Sequence, residues 1–98
     1  AYRANLKSER ALHTAVTTVI SGRAARGIVN RMMTDIEMAG ELVTPGYPMT
    51  YDAGKALIAA ANAKGDFEFA AQWAGQAAYL AREMPAAQLV AMLVSELQ

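Results

Sequence analysis

Apolar and polar positions change their period several times along this chain, and each change marks an expected element. Residues 2–10 alternate charged positions with Ala4 and Leu6, the pattern of a short polar helix with one weak apolar face. From Thr14 to Ile20 the residues are mostly β-branched, stiff at χ1 and better suited to a pleated surface, which predicts a strand. Ser21-Gly22-Arg23 carries turn chemistry, and Arg26–Asn30 reads as a second short extended piece. Helical spacing returns at Arg31–Ala39, with Met32, Met33, Ile36 and Ala39 on one side and Gly40 at the stop.

Thr44-Pro45-Gly46-Tyr47-Pro48 is the sharpest break, because neither proline continues a helix and Pro48 biases Tyr47 toward extended backbone. Pro48 suits the first turn of a new helix running to about Lys64, with Gly65 ending it. The expected apolar stripe of that helix is Met49, Ala53, Ala56, Leu57, Ala60 and Ala61. A mixed segment from Phe67 to Met84 holds the single tryptophan, and a last helix begins at Pro85 with Leu89, Val90, Leu93 and Leu97 spaced three and four apart. The fold class expected is mostly α with one or two short strands.

Composition adds a tension to this picture. Hydrophobic residues make up 54% of the 98, yet 22 of them are alanine, which buries little area per residue. A core so thin predicts that the apolar faces pack on something outside this chain. Nine basic residues balance nine acidic ones, so the excess positive charge that holds nucleic acid or anionic membrane is missing. With no cysteine there is no disulfide framework, thiolate zinc site or thiol nucleophile. The first residues lack a signal peptide's apolar run and no stretch is long enough to span a bilayer, so the expectation is a soluble, cytoplasmic protein.

Candidate chemistry is sparse. Tyr47, Tyr51 and Lys55 are spaced four and four, which on a helix forms one polar ridge at its entrance. Two phenols and an ammonium suit an anion, while the same pattern also describes a solvated helix face. The loop Ser21–Gly27 sets Arg23 and Arg26 between glycines, a weak phosphate signal without P-loop or dinucleotide spacing. It is better read as a turn whose arginines pair with carboxylates elsewhere. Gln72-Trp73-Ala74-Gly75-Gln76 combines a flat ring, two amides and a glycine, read either as a core anchor over the alanine-rich helices or as a kink at Gly75 that presents Gln76 to a pocket. His13, the one histidine, has no metal-ligand or catalytic partner nearby and reads as a surface or capping residue. The six methionines read as packing. The chain holds no complete catalytic set.

Four stretches, Ser21–Arg31, Gly46–Pro48, Gln72–Gln76 and Arg82–Val90, together resemble the C-terminal portion of the FMN-dependent nitronate monooxygenases of bacterial class I, also called 2-nitropropane dioxygenases. Their order and separations carry the likeness over nearly the whole chain. Ala24 stands where the family commonly has proline, and Ala77 where it commonly has glycine; both departures touch loop conformation.

The resemblance implies that residues 1–98 are a C-terminal segment of a TIM-barrel flavoenzyme, a barrel-closing region and pocket wall of a longer single chain. It implies FMN held mainly by residues outside this chain, with Trp73, Gly75 and Gln76 on the cofactor side. Tyr47, Tyr51 and Lys55 match substrate-pocket positions, whereas the catalytic histidine belongs upstream and His13 does not take its role. The implied reaction is oxidative denitrification of a small anionic nitronate, such as propionate 3-nitronate, by O2 to a carbonyl compound and nitrite. The implied partners are that substrate, O2 and the rest of the barrel. Two rival readings are an NADH:quinone or enoyl reductase of the same barrel family, and a helical interaction module that is not an enzyme.

Overall fold

Asn30 shows how the local sequence builds this structure. It sits in extended backbone ahead of Arg31, and its Oδ1 accepts from Met33 N at 3.2 Å, satisfying a donor that the first helical turn leaves free. Its Nδ2 donates to the Ala70 carbonyl at 2.7 Å, so one buried amide starts a helix and ties it to a distant segment. A computed structural model describes residues 1–40 and 43–98. In chain order it contains helix α1 (Tyr2–Leu6), a 3₁₀ turn (Glu9–Leu12), strands β1 (Thr14–Thr17) and β2 (Ala25–Ile28), and helix α2 (Arg31–Met38). Helix α3 (Met49–Ala63), a second 3₁₀ turn (Ala78–Leu80) and helix α4 (Ala86–Glu96) follow.

Helices carry most of the regular structure and two short strands complete it, as the pattern predicts. Several boundaries move for identifiable reasons. The expected helix over 2–10 divides, because the Ser8 hydroxyl donates to Asn5 O and accepts from Arg10 N, closing α1 and capping the 3₁₀ turn. The expected strand over 14–20 stops at Thr17, whose Oγ1 accepts from Val19 N and turns the backbone. That turn sends Ile20 into the core, where it is 1% exposed. The second extended piece occupies Ala25–Ile28, since Asn30 is taken as the cap of α2. Gly40 and Gly65 follow α2 and α3 with φ of +107° and +75°, the left-handed geometry expected of helix-ending glycines.

The strands pair antiparallel from Thr14↔Ile28 to Thr17↔Ala25. Residues 72–74 lie along the other edge of β2: Ile28 N donates to Gln72 O at 2.9 Å, and Ala74 N to Arg26 O at 3.1 Å. Ile20, Met32 and Met33 form the buried cluster, with Tyr51, Ile58, Phe69 and Trp73 packed around it.

The inward face of α3 differs from the expected stripe. Thr50 and Gly54 are buried and Tyr51, Ile58 and Ala61 partly so, while Met49 is 64% and Leu57 41% exposed. Gly54 decides this orientation: a Cβ there would lie 3.1 Å from Ile20 O and 3.3 Å from Met32 Cε, so the side without a side chain is the one that approaches closely. The methionines divide likewise, Met32 and Met33 packing in the core but Met38 lying 84% exposed. On α4, Val90, Leu93 and Val94 are exposed, as is Leu97 at its C-cap.

The thin core predicted from alanine content therefore has a measurable consequence. The radius of gyration is 15.7 Å, against about 13 Å for a compact chain of this length. The accessible surface is 6681 Å², against about 5,400 Å² for a compact monomer of 10.4 kDa.

Candidate functional site

Close backbone approach between two turns creates the most site-like concavity. Gly22 has φ +86°, and a Cβ there would fall 2.8 Å from Pro45 O and 3.0 Å from Tyr47 N. Only glycine allows the Ser21–Arg23 turn to lie against the Pro45–Tyr47 turn. Ser21 stiffens the first turn, its hydroxyl donating to Arg23 O at 3.1 Å and accepting from Arg23 N at 3.3 Å. Thr50 Oγ1, in the first turn of α3, donates to Pro45 O and holds the second.

The result is a cleft of ≈340 Å³ lined by Ser21, Arg23, Ala25, Tyr47, Tyr51 and Trp73. Three aromatic rings from two segments, 47–51 and 72–74, meet there with one guanidinium from a third. Arg23 lies over the Tyr47 ring, its Cζ 4.3 Å from the centroid. Lys55 lies over the Tyr51 ring at 4.7 Å and also approaches Asp52 at 3.5 Å. Each phenol thus carries a cation on its face. Trp73 is fixed from behind: it forms an antiparallel bridge with Gly27, and the Tyr2 hydroxyl donates to its carbonyl. Its neighbour Gln72 is 3% exposed and receives a hydrogen bond from Asn5 Nδ2 at 2.7 Å.

The larger concavity, ≈540 Å³, lies between α1 and residues 81–85 and contains no aromatic side chain. Two of its three cations are engaged, Lys7 with Glu83 and Arg82 with Glu96, and these contacts hold both carboxyls below the usual carboxylate range.

Several expected site residues move. Tyr47 is not helical: α3 starts at Met49, the Tyr47–Pro48 peptide is cis, and Tyr47 reaches the cleft from the turn. Tyr51 and Lys55 keep their helical four-residue spacing. The arginines of the 21–27 loop do not pair with carboxylates among the described residues. Arg26 Nη1 donates at 3.2 Å to both the carbonyl and hydroxyl of Thr14, and Arg23 stacks on Tyr47. Trp73 does anchor the core, packing against the cluster of Ile20, Met32 and Met33. Gly75 has no positive φ and accepts from Ala78 N, while Gln76 is exposed and lines neither concavity. His13 is exposed and ends the first 3₁₀ turn, its carbonyl accepting from Val29 N.

The family profile for nitronate monooxygenase matches residues 1–96. This chain belongs to the nitronate monooxygenase family. It is 56% identical over 98 residues to nitronate monooxygenase of Pseudomonas aeruginosa, covering 100% of this chain and 28% of that protein. Identity to nitronate monooxygenase of Paraburkholderia phytofirmans is 52%, covering 99% of this chain and 26% of the relative. The backbone is similar to a crystal structure of nitroalkane oxidase from Streptomyces ansochromogenes, with TM-score 0.83, 33% identity, and coverage of 98% of this chain and 27% of that one. The chain thus spans about a quarter of the length of these relatives.

The relatives themselves carry the names of enzymes. Among the described residues no cluster of three or more His, Cys, Asp or Glu is placed to hold a metal, and no helix is long and apolar enough to cross a membrane. What the sequence did not reveal is that Arg23 meets Tyr47 in the cleft and that Gln72 and Asn30 are buried amides bonded across the fold. The signal for Arg23 was the Ser-Gly pair before it, which forces a turn; where the turn lands depends on Pro45–Tyr47.

Proposed function

We propose that this chain is the C-terminal pocket wall of a longer, single-chain, FMN-dependent nitronate monooxygenase that converts small nitronates to carbonyl compounds and nitrite with O2. The observation that carries this reading is the aromatic cleft lined by Arg23, Tyr47, Tyr51 and Trp73, with Lys55 beside it over the Tyr51 ring. A nitronate is an anion that loses hydration on entering an apolar pocket, and a nearby ammonium with two O–H donors offsets that cost. Lys55 supplies the charge; Tyr47 and Tyr51 supply hydrogen bonds and orientation.

The cofactor side suits a flat conjugated ring, since Trp73 is held by its backbone and presents its indole to the same cleft. Trp73, with Gly75 and Gln76 following it, would contact FMN, whose remaining contacts come from outside this chain. FMN, when bound, takes electrons from the nitronate and is re-oxidised by O2. The residues of this chain bind and orient; none is placed as the base, and His13 lies outside the cleft. The exposed apolar residues of α3 and α4 fit against the rest of the barrel. The relatives' names favour nitronate over NADH as the reductant, against the quinone- or enoyl-reductase reading.

The test is steady-state kinetics of the full-length enzyme with ethyl nitronate, following O2 uptake and nitrite. The wild type should consume O2 and release nitrite, and Lys55→Ala should lower kcat/KM by about tenfold or more, the effect of losing one charge-assisted contact. An unchanged kcat/KM overturns the role of Lys55; a wild type that oxidises NADH but not nitronate overturns the function.

A further inference from the structure

Trp73 reaches the cleft from a short edge of the sheet. Residues 72–74 pair with β2 through two ladder hydrogen bonds, Ile28 N to Gln72 O and Ala74 N to Arg26 O, and the residue opposite Trp73 is a glycine. So brief a ladder against a glycine specifies its register weakly. Hydrophobic alternation supplies part of what is missing: Phe69, Ala71 and Trp73 pack on the Ile20 cluster, which puts Ala70, Gln72 and Ala74 on the opposite face. A one-residue slip would turn the indole away from the core, and the pattern opposes it. A two-residue slip keeps every side chain on its own face and carries the indole about 7 Å along β2, away from its place in the cleft.

What separates these two registers is the contact with α1. The Tyr2 hydroxyl donates to the Trp73 carbonyl and Asn30 Nδ2 to the Ala70 carbonyl, but every register presents a carbonyl. The Arg10–Glu68 pair is half-exposed and made by two long side chains that can follow a shift. Asn5 Nδ2 instead donates at 2.7 Å to Oε1 of the buried Gln72 side chain. Its neighbours on that face, Ala70 and Ala74, have no side-chain acceptor. A slip of two residues in either direction brings an alanine to Asn5 and leaves a buried amide unpaired, which costs more than a weak ladder offsets.

We propose that Asn5 and Gln72 are positioning residues: as a pair they key the register of residues 72–74 and so fix where the Trp73 indole stands in the cleft. The pairing needs no ligand, whereas its effect on turnover rests on the reading above, in which Trp73 contacts FMN. The role is one of specificity. Replacing both amides by apolar side chains of similar shape leaves nothing unpaired, so stability survives while the register signal is lost.

The experiment labels the full-length enzyme with fluorotryptophan, assigns the Trp73 resonance by its loss in Trp73→Phe, and records fluorine NMR spectra of wild type, the double variant Asn5→Leu with Gln72→Met, and Asn5→Asp. Wild type should give one Trp73 resonance. The double variant should melt within a few degrees of wild type yet show that resonance displaced or split. Asn5→Asp should keep the single resonance, because the Gln72 amide can turn its NH2 toward a carboxylate. A double variant with the wild-type resonance overturns the proposal, as does Asn5→Asp with the spectrum of the double variant. Should the double variant not fold, Asn5→Ala takes its place with the same two readings. With ethyl nitronate, kcat/KM of the double variant should fall about tenfold or more, the effect of a misplaced pocket wall. A displaced resonance with unchanged kcat/KM upholds the register key and defeats the flavin contact of Trp73, so the two failures are told apart.

Discussion

Gly27 and Trp73 face each other across an isolated antiparallel bridge, and a Cβ on Gly27 would fall 2.8 Å from Gln72 O and 3.4 Å from Trp73 Cε3. This contact sets the indole against the cleft. The obstacle is backbone, which cannot rotate away, so Gly27→Ala should cost about 1–3 kcal/mol by overpacking. Thermal denaturation of the full-length enzyme should show a midpoint lower by several degrees, and intrinsic tryptophan fluorescence should shift toward that of exposed indole.

Gly22 joins positive φ to a similar clash, with Pro45 O at 2.8 Å. Gly22→Ala is expected to separate the Arg23 turn from Tyr47 and to cost about 1–3 kcal/mol. Nitronate turnover should fall with it. A variant as stable and active as wild type would mean that the two turns are not held together in the enzyme.

Asn30 uses both ends of its amide. Asn30→Ala should destabilise by about 1–3 kcal/mol, the sum of a lost cap and a half-buried Ala70 carbonyl deprived of this donor. Asn30→Asp keeps the cap but sets an acceptor against that carbonyl, so it should rescue little. Urea titrations of the three proteins give the comparison.

The Arg10–Glu68 pair ties the first 3₁₀ turn to the segment leading to Trp73, and hydrogen bonding to Arg10 holds the Glu68 carboxyl below the ordinary carboxylate pKa. A carboxyl depressed in the folded state stabilises fully above its unfolded pKa, and the contribution is lost as pH falls through the folded value. Half-exposed as the pair is, the effect should be at most about 1 kcal/mol. The stability difference between wild type and Glu68→Gln should be constant near neutrality and shrink below about pH 4.5. A difference that grows on acidification would contradict the sign.

Leu93 is 48% exposed on α4 in this chain. If the rest of the barrel covers it, Leu93→Ala in the full-length enzyme should cost about 2–4 kcal/mol. A change within about 0.5 kcal/mol, the usual range for an exposed site, would leave α4 uncovered.

Turn chemistry was the most legible part of the fold. Gly40, Gly65, Pro48 and Pro85 mark helix ends wherever they occur, because missing N–H groups and positive φ are local properties of one residue. The strand over residues 14–20 was overextended because β-branched residues report local stiffness, whereas Ile20 is drawn off the strand by a core that lies far along the chain. The stripe on α3 was misjudged for a similar reason: Gly54 scores as no hydrophobe at all, yet its lack of a side chain lets α3 approach Ile20 and Met32.

The sequence by itself determined the element types, the thin alanine-rich core and, through its motifs, the family, since these follow from short-range stereochemistry and from residue identity. Only the tertiary structure decided that Arg23, Tyr47, Tyr51 and Trp73 share one cleft. They come from three segments whose meeting depends on backbone approaches at Gly22, Gly27 and Gly54. Such approaches require the absence of an atom, and an absent atom leaves no periodicity in the sequence to read.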